Sequence, residues 1–188
     1  MELVETCLGG VKILRPRVFE DERGFFLESY NERRFAEVGI TERWVQDNHS
    51  RSVQNTVRGL HYQLRHPQAK LCRVIRGAIM DVVVDLRRGS PTFGQWTGVL
   101  LSEENRTQIY VPRGFAHGFA VLSDLAEVLY KCDDFYAPED EQGIAWDDPE
   151  LDIQWGLTGP PLLSPKDARH PRLRDLPPER LPAWEPTK

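Results

Sequence analysis

Apolar and polar residues alternate with a period near two along much of the chain, the spacing of strands that bury one face. Leu71 to Leu86 is rich in valine and isoleucine, is interrupted by Gly77, and is too β-branched to favour a helix. It predicts two strands joined at Arg76-Gly77. In the second, Ile79, Asp81, Val83 and Asp85 share one face, and Met80, Val82, Val84 and Leu86 make the other wholly apolar. Thr107 to Val111, Ala116 to Leu122 and Ala126 to Tyr136 are again short and aromatic or β-branched, with turns at Pro112-Arg113-Gly114 and Ser123-Asp124. One short helix is expected from Asn31 to Val38, with Asn31 as its cap, Phe35 and Val38 as its apolar side and Gly39 as its stop. Many short strands with one small helix predict an all-β sandwich or barrel, with a jelly roll prominent among the choices.

The chain of 188 residues suits a single domain. Eight of its fourteen prolines follow Gly156, so a core over about 18–155 and an irregular Pro-rich segment over about 156–188 are expected, the latter a subunit clasp or a loose tail. A net charge of -5 argues against a nucleic-acid partner but leaves room for a small anion held by a few local cations. No apolar run approaches a membrane span, and Met1-Glu2-Leu3-Val4-Glu5 lacks the order of a signal peptide, so no membrane association and a cytoplasmic location are expected. Cys7, Cys72 and Cys132 are odd in number and widely spaced, the pattern of buried thiols rather than of disulfides or a zinc site.

Polar residues gather where strands are expected: Gln46-Asp47-Asn48-His49-Ser50, then Arg58-Gly59-Leu60-His61-Tyr62-Gln63, then Lys70. Taken singly, His61 reads as a core histidine with its hydrogen bonds satisfied. An imidazole beside two cations and several amides points instead to a site. The spacing of Pro112, Gly114 and His117 resembles the second motif of the cupin superfamily, whereas His61-Tyr62-Gln63 lacks the second histidine of the first. Two imidazoles fall short of the three ligands a transition metal usually takes. Asp81 or Glu127 would have to complete the set, and Arg58 and Lys70 would repel the ion. No metal is therefore expected. Tyr130 is either an ordinary core tyrosine or an acid, and Asp167 either a solvated turn residue or a partner for His61.

Together these segments closely resemble the dTDP-4-dehydrorhamnose 3,5-epimerase family of cupin-like sugar-nucleotide enzymes. The matching stretches run in order: Asp21 to Glu28, Gln46 to Ser50, Arg58 to Gln63, Ala69 to Leu71, Asp85 to Arg87 with Ser90 to Gly94, Pro112 to Phe119, Tyr130-Lys131, Trp146 to Pro149 and Ser164 to Asp167. The resemblance implies a cupin-type double-stranded β-helix, homodimeric and without cofactor, that inverts carbons 3 and 5 of dTDP-4-dehydro-6-deoxy-D-glucose. It makes His61 the base, Asp167 its dyad partner and Tyr130 the acid across the ring, with Lys70 facing the C4 oxygen and Arg58 nearby. Gln46, Asn48, His117, Glu141 and Lys166 would line the site, Arg23 and Glu28 would enter it from the partner subunit, and Phe26 and Tyr136 are candidates for stacking on thymine. Alternation places Arg58 and His61 on opposite faces of a flat strand, so a bend or twist at Gly59 is inferred.

The chemistry explains these residue types. Each inverted carbon is α to a ketone and weaker as an acid than imidazolium by roughly a dozen pKa units, about 16 kcal/mol, so a base needs cationic donors at the developing oxyanion. Inversion further requires a proton donor on the opposite face. Three alternatives remain at this point: an epimerase acting at C3 or C5 alone, a cupin that binds a nucleotide sugar without turning it over, and a metal-dependent cupin oxygenase.

Overall fold

A computed structural model describes residues 1–185; the last three positions of the Pro-rich segment lie outside the described residues. Four strands, β1 (Glu2–Cys7), β2 (Val11–Arg15), β3 (Val18–Asp21) and β4 (Gly24–Leu27), precede the helix α1 (Glu32–Glu37). Then follow β5 (Gln46–Val53), β6 (Val57–Gln63), β7 (Lys70–Arg76), β8 (Ala78–Asp85), β9 (Trp96–Ser102), β10 (Gln108–Val111), β11 (Phe115–Val121), β12 (Leu125–Cys132) and β13 (Glu141–Gly143). Three 3-10 turns close the described chain, at Asp167–Arg169, Leu173–Asp175 and Pro178–Arg180. The strands form a six-stranded sheet in the order β1-β2-β10-β7-β12-β5 and a five-stranded sheet in the order β13-β6-β11-β8-β9, while β3 and β4 make a separate hairpin. No described helix is long and apolar enough to cross a membrane.

The two strands expected around Arg76-Gly77 are β7 and β8, joined where Gly77 has φ +71°. The helix also forms as expected: the Asn31 side chain accepts from the Arg33 and Arg34 amides, Phe35 is buried, and Gly39 has φ +72° beyond the cap. The third aromatic segment differs, because β12 stops at Cys132 instead of continuing to Tyr136. There Asp133 turns back to accept the Ala69 amide at 2.6 Å and the Arg113 guanidinium at 2.9 Å, which takes the chain off the ladder.

One core cluster lies between the sheets, drawing Val11, Cys72, Ile109 and Val128 from one and Ile79, Val83, Leu101 and Phe115 from the other. The apolar face of β8 points the opposite way. Val82, Val84 and Leu86 pack with Leu151, Trp155 and, from the Pro-rich segment, Leu176, so the irregular chain from Leu151 onward covers the outer face of the five-stranded sheet. Its backbone is pinned there: Asp148 accepts the Leu173 amide at 2.8 Å, Trp96 Nε1 donates to the Leu151 carbonyl at 2.7 Å, and Tyr62 donates its hydroxyl to the Arg180 carbonyl at 2.8 Å. Asp85 is buried in a structural knot, accepting from Arg87 at 2.8 Å and from Ser90 and Thr92 at 2.6 Å each, and Arg87 in turn lies 4.2 Å from the Phe115 ring centre.

Candidate active site

Between the sheets opens a cavity of about 460 Å³. Strand alternation builds one wall: on β5 the less exposed residues are Gln46, Asn48, Ser50 and Ser52, whereas Asp47, His49, Arg51 and Val53 face out. Register then aligns these residues across the sheet. Gln46 pairs with Cys132 and Cys132 with Lys70, while Asn48 pairs with Tyr130 and Tyr130 with Cys72. Gln46, Asn48, Lys70 and Tyr130 thus line the cavity from the six-stranded sheet. His49 is turned outward to Glu127, 3.0 Å away.

The opposite wall depends on an irregularity. In the β6–β11 ladder His61 pairs with His117 and Arg58 with Phe119, so Gly59 and Leu60 together oppose the single residue Gly118. This is a β-bulge, and its extra residue returns Arg58 to the face that carries His61. Both side chains line the cavity, which supplies the inferred bend. Glycine is required on each side of it. Gly59 has φ +114°, and a Cβ there would stand 2.7 Å from the Gly118 Cα, while one on Gly118 would meet the Arg58 carbonyl at 2.6 Å.

Asp167 reaches this wall from the C-terminal segment, 106 residues from His61 in sequence, and its carboxylate lies 2.5 Å from His61 Nε2. Its other oxygen accepts from the Ser164 hydroxyl at 2.8 Å. Burial alone would raise the Asp167 pKa, but the facing His170 and His61, with Ser164, outweigh it and hold the carboxyl well below the usual carboxylate range. The Nδ1 side of His61 faces Glu141 at 3.9 Å. Glu141 is bonded to Tyr136 and Lys166 at 2.5 Å each, and against its burial these contacts keep its pKa low. The hydrogen bond to Glu141, with some burial, pushes Tyr136 up to about 12.

Across the cavity, burial pushes Tyr130 up to about 12, so its hydroxyl holds its proton at neutral pH. Arg58 donates to Ser52 at 3.0 Å, and neither Arg58 nor Lys70 has a carboxylate partner within 4 Å among the described residues. Their positive charge is available to an anion. His117 Nε2 lies 2.9 Å from both Asp81 oxygens, so this buried pair stiffens the cavity floor.

Among the described residues two clusters offer potential metal donors: His61, Asp167 and His170, and Cys72, Asp81 and His117. In the first, 2.5 Å between His61 and Asp167 is a hydrogen-bond length, shorter than the about 3.3 Å between neighbouring ligands of a tetrahedral ion. In the second, burial pushes the Cys72 thiol up, and the His117 nitrogen is engaged by a carboxylate.

His61, Tyr130, Asp167, Lys70, Gln46, Asn48, Arg58, His117, Glu141, Lys166 and Tyr136 therefore share one cavity. Arg23, Glu28 and Phe26 lie outside it on or beside the β3–β4 hairpin: Arg23 pairs with Asp21, Glu28 with Arg34 and Asn31, and Phe26 is 70% exposed. Sequence reasoning missed Ser164 and His170. The one available signal was their spacing about Asp167, at i−3 and i+3, which a tight turn brings together.

A jelly-roll cavity with an imidazole–carboxylate dyad on one wall, a buried phenol on the other and unpaired cations between them defines a cupin-type acid–base site for an anionic substrate. Residues 5–175 match the family model for dTDP-4-dehydrorhamnose 3,5-epimerase, and the chain belongs to that family. The dTDP-4-dehydrorhamnose 3,5-epimerase of Pseudomonas aeruginosa is 57% identical over 168 residues, 89% of this chain and 93% of that protein. A dTDP-6-deoxy-D-glucose-3,5-epimerase of Legionella pneumophila, solved in complex with dTDP-4-keto-L-rhamnose, superposes with a TM-score of 0.96 at 49% identity, covering 98% of this chain and 99% of that one. A dTDP-4-dehydrorhamnose 3-epimerase of Streptomyces niveus is 45% identical over 89% of this chain and 81% of that protein.

Proposed function

We propose that this chain inverts C3 and C5 of dTDP-4-dehydro-6-deoxy-D-glucose, with His61 as the base and Tyr130 as the acid on the opposite face of the sugar ring. The observation that carries the reading is that these two side chains line one cavity from facing sheets, His61 from β6 and Tyr130 from β12. Asp167 fixes the His61 tautomer through Nε2 and leaves Nδ1 to take the proton α to the C4 ketone. Lys70 and Arg58 stabilise the enolate oxygen that forms, where their charge is worth more than in water. Tyr130 then protonates the carbon from the other side and is reprotonated from solvent. Inversion changes no oxidation state, so the reaction asks for no redox cofactor.

Lys166, Gln46, Asn48 and His117 suit the diphosphate and sugar, and Tyr136, exposed at the rim, suits the thymine face. Arg23, Glu28 and Phe26 would enter the site of a second copy in a homodimer. The exposed Phe19, Phe25 and Phe26 of the β3–β4 hairpin support such a contact. A nucleotide-sugar substrate also fits a cytoplasmic location.

Incubating the ketosugar with the enzyme in deuterated water tests this reading. Label at both C3 and C5 is expected, and His61→Asn should abolish uptake while leaving dTDP affinity within about threefold. Label confined to C3 would instead place this chain with the 3-epimerases of the family, and undiminished uptake by His61→Asn would remove His61 as the base.

A further inference from the structure

His170 has a place that the dyad and the phenol do not explain. Its side chain is 10% exposed, and its Nε2 is buried without a hydrogen-bond partner. The nearest carboxylate oxygen is Asp167 Oδ1 at 3.6 Å, the same oxygen that meets His61. The two imidazoles stand edge to face, their ring centres 5.5 Å apart.

This arrangement is built by both strands and turn. The 3-10 turn Asp167–Arg169 eclipses positions i and i+3, which sets His170 over Asp167. The Pro171 carbonyl is held by the Ala145 amide at 2.8 Å, and this fixes the chain just beyond the ring. On β13, Gly143 pairs directly with His61, and a Cβ there would overlap the His170 imidazole. Space for the second ring is thus left next to the first.

We propose that His170 is a positioning residue that acts through Asp167, gripping the carboxylate from the side away from the substrate so that it stays aligned on His61 during proton transfer. The proposal rests on the reading of His61 as the base. A buried ring nitrogen with no partner is costly, and a small approach closes the gap to Asp167. Hydrogen bonds of catalytic groups often tighten in this way when substrate binds. Ser164 holds the second oxygen, so the two contacts together fix the plane of the carboxylate. Loss of His170 should therefore slow the proton step without weakening substrate binding.

The test compares His170→Phe, which keeps the ring but removes the donor, with His170→Gln, which keeps a donor of similar reach. His170→Phe should lower kcat about tenfold, leave KM within twofold and slow deuterium uptake to match. His170→Gln should recover kcat to within about threefold of the wild type. Gly143→Ala, which crowds the ring without changing its chemistry, should likewise lower kcat with little change in KM. Wild-type kcat in His170→Phe overturns the proposal, as does an equal fall in the Phe and Gln variants, which would mark His170 as packing alone. Failure of the base assignment itself is read separately, from deuterium uptake in His61→Asn.

Discussion

Tyr130 and Asp167 are displaced from their ordinary acidities in opposite directions, and each displacement favours the protonation state its proposed role requires. Burial pushes Tyr130 up to about 12 and keeps the phenol protonated as a donor. Asp167, held well below the carboxylate range, stays ionised across the working range. The sign follows for the pH profile of kcat/KM. Asp167 contributes no acidic limb near about pH 4, and the alkaline limb due to Tyr130 lies above the ordinary phenol value of about 10. A limb centred near 10 that disappears in Tyr130→Phe would contradict this. His61, Lys70 and Tyr130 were legible as residues because imidazole, ammonium and phenol stood within expected strands and within stretches that resemble a known family. The roles of Ser164 and His170 were not, since a serine and a histidine three residues either side of Asp167 carry only a spacing signal until a turn folds them onto it.

At the scale of elements, alternation was enough to read β7 and β8, where Asp81 on one face and Val82 on the other follow a flat ladder. It fails on β6, because a bulge adds one residue and reverses every face beyond it. The clue was Gly59 itself, placed between two residues that both needed the same side. Gly59→Ala should destabilise the protein by about 1–3 kcal/mol through its positive φ and the crowding against Gly118, and should turn Arg58 away from the cavity. Chemical denaturation with a parallel rate assay checks it; wild-type stability and rate would remove the bulge from the account. The end of β12 was misread because Lys131-Cys132-Asp133 continues an alternating pattern, and the Asp133 bonds to Ala69 and Arg113, across the fold, stop the strand.

The whole molecule is organised by the Pro-rich segment, whose composition suggested irregularity but not where it packs. With Leu157, Leu173 and Leu176 it joins the cluster on the outer face of β8, and the same stretch delivers Asp167 to His61, 106 residues away. Packing and the geometry of the proposed dyad are therefore linked through it. Leu176→Ala should cost about 2–5 kcal/mol of stability, read as a lowered Tm, and a variant that melts like the wild type would show that the segment is not part of the core. The central claim, that base and acid attack the sugar from opposite walls of one cavity, is tested most directly by following Tyr130→Phe in deuterated water. With His61 and its cations intact, the variant should still exchange the protons α to the ketone, while inverted product falls by about 100-fold or more. Inversion at the wild-type rate would contradict the account.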